Sequence, residues 1–282
     1  MAQAVRGSAR CLTGLDSASP RDPLLLAVDN GTQSVRALLF DLRGELVARS
    51  QVALDAYRSP QPGWHEHDVD AYWQALCRAF RQLWAQPGAE PARLAGVAVT
   101  TQRGTVVNLD RKGRPLRPAI TWLDQRRTGD APPIGPLWRA AFRVAGVAGT
   151  VRHLAGEAEI NWIRAHQPEV WEATEKFLLL SGCLNWRLDG RFVDSSGSQV
   201  AYIPFDYGRL RWAAPRAWQW QALAVEPSML PALAPPARAW AASPRRRRAT
   251  PASRRACRCW RPPPTRPARR SAPAAARRTW PA

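Results

Sequence analysis

The sequence predicts an α/β domain in which a mixed β-sheet is flanked by helices. Strand patterns are followed by amphipathic helix patterns along residues 24–236, an arrangement typical of layered α/β folds. Two strands joined by a tight turn open this region, which argues against a simple Rossmann fold. Neither G-x-G-x-x-G nor G-x-x-x-x-G-K-[ST] occurs, so the dinucleotide-binding and P-loop motifs are excluded.

The opening hairpin is the first candidate site. Residues 24–28 form an apolar run, as expected for a strand buried on both faces, and a second apolar stretch covers residues 35–40. The turn between them places Asp29 at a strand end, where its carboxylate suits a hydrated Mg²⁺. Glycine permits close backbone approach, and the N–H groups and hydroxyls that follow suit phosphate. The predicted phosphate- and metal-binding residues are Asp29, Gly31, Thr32 and Gln33, with Asp29 as the metal ligand.

The remaining elements follow from periodicity and turn residues. A third strand is predicted over residues 45–54, and Asp68 is the expected N-cap of a helix whose apolar positions recur at helical spacing. The other predicted strands cover residues 94–100, 106–109 and 176–180. The other predicted helices cover residues 138–146, 156–166, 181–188 and 212–223.

Positive charge is concentrated near the C-terminus. The 282 residues have a net charge of +19, which at first suggests a nucleic-acid partner. Residues 239–282 contain 13 arginines and no acidic residue, whereas residues 1–238 have 28 basic and 22 acidic side chains. The balance is therefore ordinary over most of the chain, and nucleic acid is not the expected partner there.

Composition also bears on the compartment. Five cysteines with no C-x-x-C pair argue against a disulfide framework or a zinc site and favour a reducing, cytoplasmic setting. No apolar run approaches about 20 residues, so a membrane span is not expected. Residues 1–22 lack a hydrophobic signal segment and are interpreted as a disordered leader. The composition does not decide whether the chain forms a homo-oligomer.

Five stretches, in order, resemble the FGGY family of carbohydrate kinases, part of the actin-like ATPase superfamily. They are AVDNGTQSVRALLFD, PGWHEHDVDAYWQAL, GVAVTTQRGTVV, RPAITWLDQR and the DSSGSQ loop. The resemblance implies a ribonuclease-H-like domain over residues 23–236 that holds a sugar or polyol, paired in the family with a second, nucleotide-binding domain. It implies phosphoryl transfer from ATP, with Mg²⁺, to a substrate hydroxyl.

The resemblance also implies a substrate side. A planar guanidinium and a carboxylate each make paired hydrogen bonds with neighbouring hydroxyls. Arg103 and Asp124 are expected to line one pocket with Gln102 and Trp122, because all four lie at apparent strand ends, where α/β sheets place ligands. For Arg103 the alternative is a solvated turn residue, and for Asp124 it is an ion pair with Arg126 or Arg127. The residues implied are Gln102, Arg103, Gly104, Trp122 and Asp124.

Two departures from the family limit what is implied. Glycerol kinases have Glu at the position of Gly104, and xylulose kinases have Met-His at positions 103–104, so neither substrate is assigned. The family's catalytic base is an Asp located after the matching stretch, and no Asp or Glu follows Glu226. We therefore expect neither that base nor the second domain in this sequence, and expect the chain alone to be inactive.

Residues 237–282 are interpreted as a disordered tail read in a shifted frame. Residues 239–282 contain no Leu, Ile, Val, Met or Phe, so they offer no core to offset the ordering entropy. Codons can be chosen so that a neighbouring frame reads an apolar strand and a small-residue loop, with an Asp across Thr265. Two alternatives remain: a sugar- or nucleotide-binding module of actin-like fold without transferase activity, and a nucleic-acid binder acting through the tail.

Overall fold

The structure is a computed structural model that describes residues 22–200 and 202–236. The predicted tail over residues 237–282 lies outside the described residues, and so does the predicted leader except for Asp22.

The described chain alternates between strands and helices, as the sequence predicts. The strands are β1 Leu24–Asn30, β2 Ser34–Phe40, β3 Leu46–Ala53, β4 Glu66–His67, β5 Leu94–Thr101, β6 Val106–Leu109, β7 Ala119–Ile120, β8 Lys176–Leu179, β9 Val193–Ser195, β10 Phe205–Asp206, β11 Arg211–Trp212 and β12 Ala232–Ala234. The helices are α1 Val69–Trp84, α2 Pro136–Val144, α3 Ala148–Glu157, α4 Glu159–His166, α5 Pro168–Ala173, α6 Leu180–Asp189 and α7 Trp218–Ala222.

The first sheet has the order β3-β2-β1-β5. Strand β1 pairs antiparallel with β2 and parallel with β5, so the predicted mixed sheet is confirmed. Leu24, Leu26 and Val28 are at most 1% exposed, whereas Leu25 on the opposite face is 42% exposed. The expectation that β1 is buried on both faces is therefore wrong, because its alternate side chains face the core on one side only.

Helix α1 packs on the buried face of this sheet. Asp68 is its N-cap, as predicted, and its side chain accepts a hydrogen bond from the Asp70 N–H. Tyr72, Leu76 and Phe80 are fully buried in the same core as β1 and β2. The helix therefore holds the first sheet from behind and leaves the strand ends accessible.

A second sheet, β4-β7-β6-β8, is antiparallel in all its pairings. It adjoins a second core in which Ile160 and Ile163 of α4 pack with Ile120 of β7 and Phe177 of β8. These side chains are at most 1% exposed. The two cores meet where β5 leads into β6.

Two predicted helices differ from the structure. The stretch 156–166 is divided at Ala158, whose extended backbone ends α3 and begins α4. The predicted helix over residues 212–223 is reduced to α7, and Trp212 lies in β11. Pro215 disfavours helical geometry at the residue before it, and this explains the shortening.

Two further observations bear on the sequence expectations. Cys183, a cysteine within the described residues, is free and buried. Within residues 22–200 and 202–236, no helix is both long and apolar enough to cross a membrane.

Candidate functional site

An open cavity of about 500 Å³ lies where the ends of the first sheet meet the second core. The ends of β1 and β5 coincide, because Asn30 is in register with Thr101 and its carbonyl accepts the Gln102 N–H at 2.9 Å. Ligands in α/β sheets commonly bind at such strand ends. The cavity is lined by Thr32, Gln102, Arg103, Gly104, Val106, Trp122, Glu159, Leu179, Val200, Tyr202 and Ile203.

The β1–β2 hairpin forms one edge of the site. Its turn is closed by a hydrogen bond from the Gly31 N–H to the Ser34 carbonyl at 3.0 Å. The backbone N–H groups of Thr32 and Gln33 have no acceptor among the described residues, so they are available to an anion. Asp29 is paired across the hairpin, with 3.2 Å from its Oδ2 to Arg36 Nη1, and its side chain is 37% exposed.

Gln102 connects the hairpin to the rest of the domain. Its Oε1 accepts hydrogen bonds from Thr32 Oγ1 at 3.1 Å and Tyr57 Oη at 3.0 Å, and its Nε2 donates to Tyr72 Oη at 2.7 Å. Both carbonyl lone pairs are therefore used within the protein. Gln102 is placed to orient the hairpin, with one amide hydrogen left for a ligand.

Arg103 and Gly104 form the turn between β5 and β6. Arg103 is exposed and its guanidinium has no hydrogen-bond or ion-pair partner among the described residues. It lines the main cavity and a smaller polar cavity of about 70 Å³ beside it. Gly104 has φ +70°, and an added Cβ would lie 3.3 Å from the Trp122 Cβ, so both backbone angle and space favour glycine.

Trp122 forms another wall of the cavity. Its side chain is 53% exposed, and its Nε1 donates a hydrogen bond to Thr32 Oγ1 at 3.3 Å. An indole face beside a hydroxyl network suits a sugar ring or carbon chain, because it offers apolar contact next to polar groups.

Asp124 does not line the cavity, which corrects the expectation that it shares a pocket with Arg103 and Gln102. Its two oxygens accept from Arg126 Nε and Nη2, both at 2.7 Å, and Oδ2 also accepts the His65 N–H at 2.7 Å. Both side chains of this pair are 1% exposed. The alternative of an ion pair with Arg126 is the one that the structure contains.

This pair belongs to a buried charge cluster behind the cavity. Glu66 Oε1 lies 2.5 Å from Arg117 Nη2 and 3.0 Å from Arg126 Nη2. The Arg126 guanidinium also lies 4.2 Å from the Trp64 ring centre. Burial lowers the pKa of Arg117 to about 10, although the Glu66 charge opposes this. The cluster fixes the segment that leads from β7 through Trp122.

The sequence analysis missed Glu159 and Tyr202 as lining residues. Glu159 is the first residue of α4, and burial raises the pKa of its carboxyl to about 7, with the nearby Asp124 charge acting in the same direction. Tyr202 Oη donates to Glu157 Oε2 at 2.6 Å, and burial with this bond raises the Tyr202 pKa to about 12. No local motif marks either residue, because the sequence predicts one helix over residues 156–166 and only the structure divides it at Ala158.

Asp194, in the DSSGSQ loop, was also not predicted as a site residue. It is fully buried and accepts hydrogen bonds from Ser181 Oγ at 2.7 Å and Gln199 Nε2 at 3.0 Å. Burial raises the pKa of this carboxyl despite those bonds. The loop it organises places Gly197 and Ser198 in the lining of the smaller cavity.

The antiparallel hairpin that opens a mixed sheet, with helices packed on it, is the arrangement of an actin-like, ribonuclease-H-like α/β domain. A xyloylose kinase from Brucella ovis has this fold, with a TM-score of 0.61 and 25% identity over 75% of this chain and 43% of its own. A Plasmodium falciparum glycerol kinase solved with ADP shares the fold at a TM-score of 0.54 and 19% identity, over 75% of this chain and 43% of its own.

The sequence matches the N-terminal domain of the FGGY family of carbohydrate kinases over residues 24–243. The glycerol kinase of Halorhodospira halophila is 33% identical over 227 residues, covering 75% of this chain and 42% of the relative. The chain belongs to the FGGY family of carbohydrate kinases. It spans about two-fifths of the length of the curated relatives that it matches.

Proposed function

We propose that residues 23–236 are the substrate-holding domain of an ATP-dependent kinase that phosphorylates a hydroxyl of a sugar or polyol. The observation that supports this most directly is the contact between Thr32 of the hairpin and Gln102 of the cavity wall, at 3.1 Å. This hydrogen bond links the hairpin turn to the cavity wall. Among the described residues, the N–H groups of Thr32 and Gln33 in the turn and the Arg103 guanidinium at the cavity have no hydrogen-bond partner. Phosphoryl transfer needs such proximity between an anion-binding turn and a hydroxyl-binding pocket.

The chain's own residues then have distinct roles in the proposal. Arg103 hydrogen-bonds substrate hydroxyls, because its guanidinium is exposed at the cavity and has no partner among the described residues. Trp122 contacts the carbon skeleton, and Gln102 positions both the hairpin and the substrate. Asp124 acts indirectly by holding Arg126 behind the Trp122 wall.

The hairpin is proposed to hold the phosphates of ATP together with Mg²⁺. The residues fit a shared ion rather than a dedicated site, because Mg²⁺ is commonly held by one or two carboxylates plus substrate phosphates. Asp29 is half-exposed and uses one oxygen for Arg36, and the described residues contain no group of three or more potential ligands. Bound Mg²⁺ would neutralise phosphate charge. The hairpin backbone would approach the phosphates at Gly31, Thr32 and Gln33.

Phosphoryl transfer is proposed to need groups from the part of the relatives that this chain does not match. A carboxylate base contributes roughly 10²–10⁴-fold to transfer from a hydroxyl, and nucleotide alignment contributes further. We expect the 282-residue chain to bind polyol with little sugar-dependent turnover of ATP.

The proposal is tested by calorimetric titration of the full chain with glycerol, xylulose and other polyols and sugars. Arg103→Ala is expected to weaken binding at least about tenfold, since a hydrogen bond from a charged group contributes about 1.5–3 kcal/mol. Arg111→Ala, an arginine with 91% exposure outside the cavity, is the matched control and is expected to leave affinity unchanged. Absence of binding to every polyol and sugar contradicts the proposal.

A further inference from the structure

Glu159 is a cavity-lining carboxyl to which the proposed kinase chemistry assigns no role. It is the first residue of α4, directly after Ala158, which is fully buried and extended. The next residues, Ile160 and Ile163, pack into the second core. Since these contacts fix the start of the helix, the Glu159 side chain is held at the cavity wall with Trp122 and Tyr202.

The charged groups around Glu159 are already paired with one another. Arg126, the cation that favours its ionised form, is bidentate to Asp124 and also contacts Glu66. The nearby Glu157 pairs with Arg127 at 2.5 Å and with His153 at 3.3 Å, and accepts from Tyr202 Oη. Among the described residues Glu159 has no ion pair and no side-chain hydrogen bond, and the backbone donor that favours its ionised form is its own N–H.

A partly buried carboxyl that lines a cavity, and that has no side-chain partner in the part of the chain that the structure describes, favours a ligand with hydrogen-bond donors. We propose that Glu159 determines specificity by accepting hydrogen bonds from the hydroxyls of a neutral polyol or sugar, and that it disfavours the corresponding sugar acids. This inference rests on the proposed function, because it takes the cavity to be the sugar site. A carboxylate acceptor makes stronger hydrogen bonds than a neutral one, and a ligand carboxylate placed against it is repelled.

The inference predicts a pH dependence of binding. A carboxyl with a pKa of about 7 that binds ligand only when ionised gives an affinity about tenfold higher at pH 8 than at pH 6. The groups facing Glu159 that bear on this dependence are Asp124, Arg126 and Glu157. His153, which pairs with Glu157, is the nearby side chain of a class that changes charge between pH 5 and 8.

The test is calorimetry on the full chain with the best-binding neutral polyol and its matching aldonic acid, such as xylitol and xylonate, from pH 6 to pH 8.5. Glu159→Gln is expected to weaken polyol binding about tenfold at pH 8, to remove the pH dependence, and to bind the acid at least as well as the parent chain does. His153→Gln, which removes a neighbouring group outside the cavity lining, is expected to keep both the affinity and the pH dependence.

A second measurement does not depend on the variant folding. Carbon-13 NMR of the glutamate carboxyls follows the titration of Glu159 directly. Saturating xylitol is expected to lower its pKa, because a ligand that prefers the ionised form stabilises it; an unchanged or raised pKa overturns the inference.

The outcomes separate the two proposals. If the parent chain binds no polyol or sugar at any pH, both the proposed function and the role of Glu159 are wrong. If polyols bind with an affinity that neither pH nor Glu159→Gln changes, the role of Glu159 is wrong and the proposed function stands.

Discussion

Gly104 shows how one residue shapes the pocket. At φ +70° with the Trp122 backbone and Cβ close by, any side chain adds both backbone strain and a tight contact. The glycine therefore leaves room in the cavity beside Arg103.

We expect Gly104→Ala to destabilise the fold by about 2 kcal/mol, since a residue forced to positive φ costs roughly 1–3 kcal/mol. Gly146→Ala is the matched control, because Gly146 has φ +71° and nothing within 4 Å of an added Cβ. Chemical denaturation of both variants isolates the Trp122 contact as the difference between them. Equal losses would show that Trp122 yields freely and that only the backbone angle matters.

The β1–β2 hairpin shows how an element is held by side chains distant in sequence. Its turn is linked to the end of β5 through Gln102, whose amide contacts hydroxyls from Thr32, Tyr57 and Tyr72. The loss of that one side chain leaves three hydroxyls without their partner. The hairpin and the cavity are therefore expected to respond together to changes at Gln102.

We predict that Gln102→Ala destabilises the fold by about 2 kcal/mol, because net hydrogen bonds contribute roughly 1 kcal/mol each and unsatisfied partners cost more. Gln51→Ala, which removes a single 3.1 Å hydrogen bond from Nε2 to Ser34 Oγ, is the comparison and is expected to cost less than half as much. Denaturant midpoints measure both; similar costs would mean that water replaces the Gln102 contacts without penalty.

Asp124 and Asp29 differ in burial, so the loss of their ion pairs is expected to change stability by different amounts. Asp124→Asn is expected to destabilise by about 3 kcal/mol, since it leaves the buried Arg126 without its bidentate partner. Asp29→Asn breaks a pair whose side chains are 53% and 37% exposed, and is expected to change stability by less than about 1 kcal/mol. Thermal unfolding compares them, and a large loss for Asp29→Asn would contradict the assignment of Asp29 to a functional role.

At the scale of the whole molecule, two cores meet at a cavity that contains a carboxyl with an unusual proton affinity. The folded state raises the Glu159 pKa from 4.5 to about 7, so between these values the folded chain binds the proton more tightly than the unfolded chain does. The contribution of Glu159 to the free energy of unfolding is thus fully present below about pH 4.5 and is lost as pH rises through about 7.

We expect Glu159→Gln to remove this component of the pH dependence. A pKa shift of this size corresponds to roughly 3 kcal/mol of unfolding free energy. Because the Glu159 side chain is partly solvated, we expect the stability of the parent chain to fall by about 2 kcal/mol from this group. Denaturation midpoints measured from pH 4.5 to 8 check it. Asp194→Asn serves as the comparison, since its buried carboxyl also has a raised pKa; a parent curve that rises over this window would contradict the Glu159 assignment.

The sequence by itself determined the strands of four or more residues, the hairpin turn, the capped α1 helix and the family, because these depend on periodicity and on residues adjacent in the chain. It also predicted that Gln102, Arg103, Trp122 and Asp124 share one pocket; the first three line the cavity and Asp124 does not. Only the tertiary structure decided which side chains form hydrogen bonds with these residues. Thr32 meets Gln102 across 70 residues and Trp122 across 90, and no local pattern specifies such pairings.

The same reason explains Asp124 and Glu159. From the sequence, Asp124 was equally compatible with the pocket and with a neighbouring arginine, and burial of Arg126 beside two tryptophan rings decided for the ion pair. Glu159 carries no motif, and its position at the cavity depends on how α4 packs into the second core. A carboxyl acquires an altered proton affinity from desolvation and from distant charges, which exist only once the chain is folded.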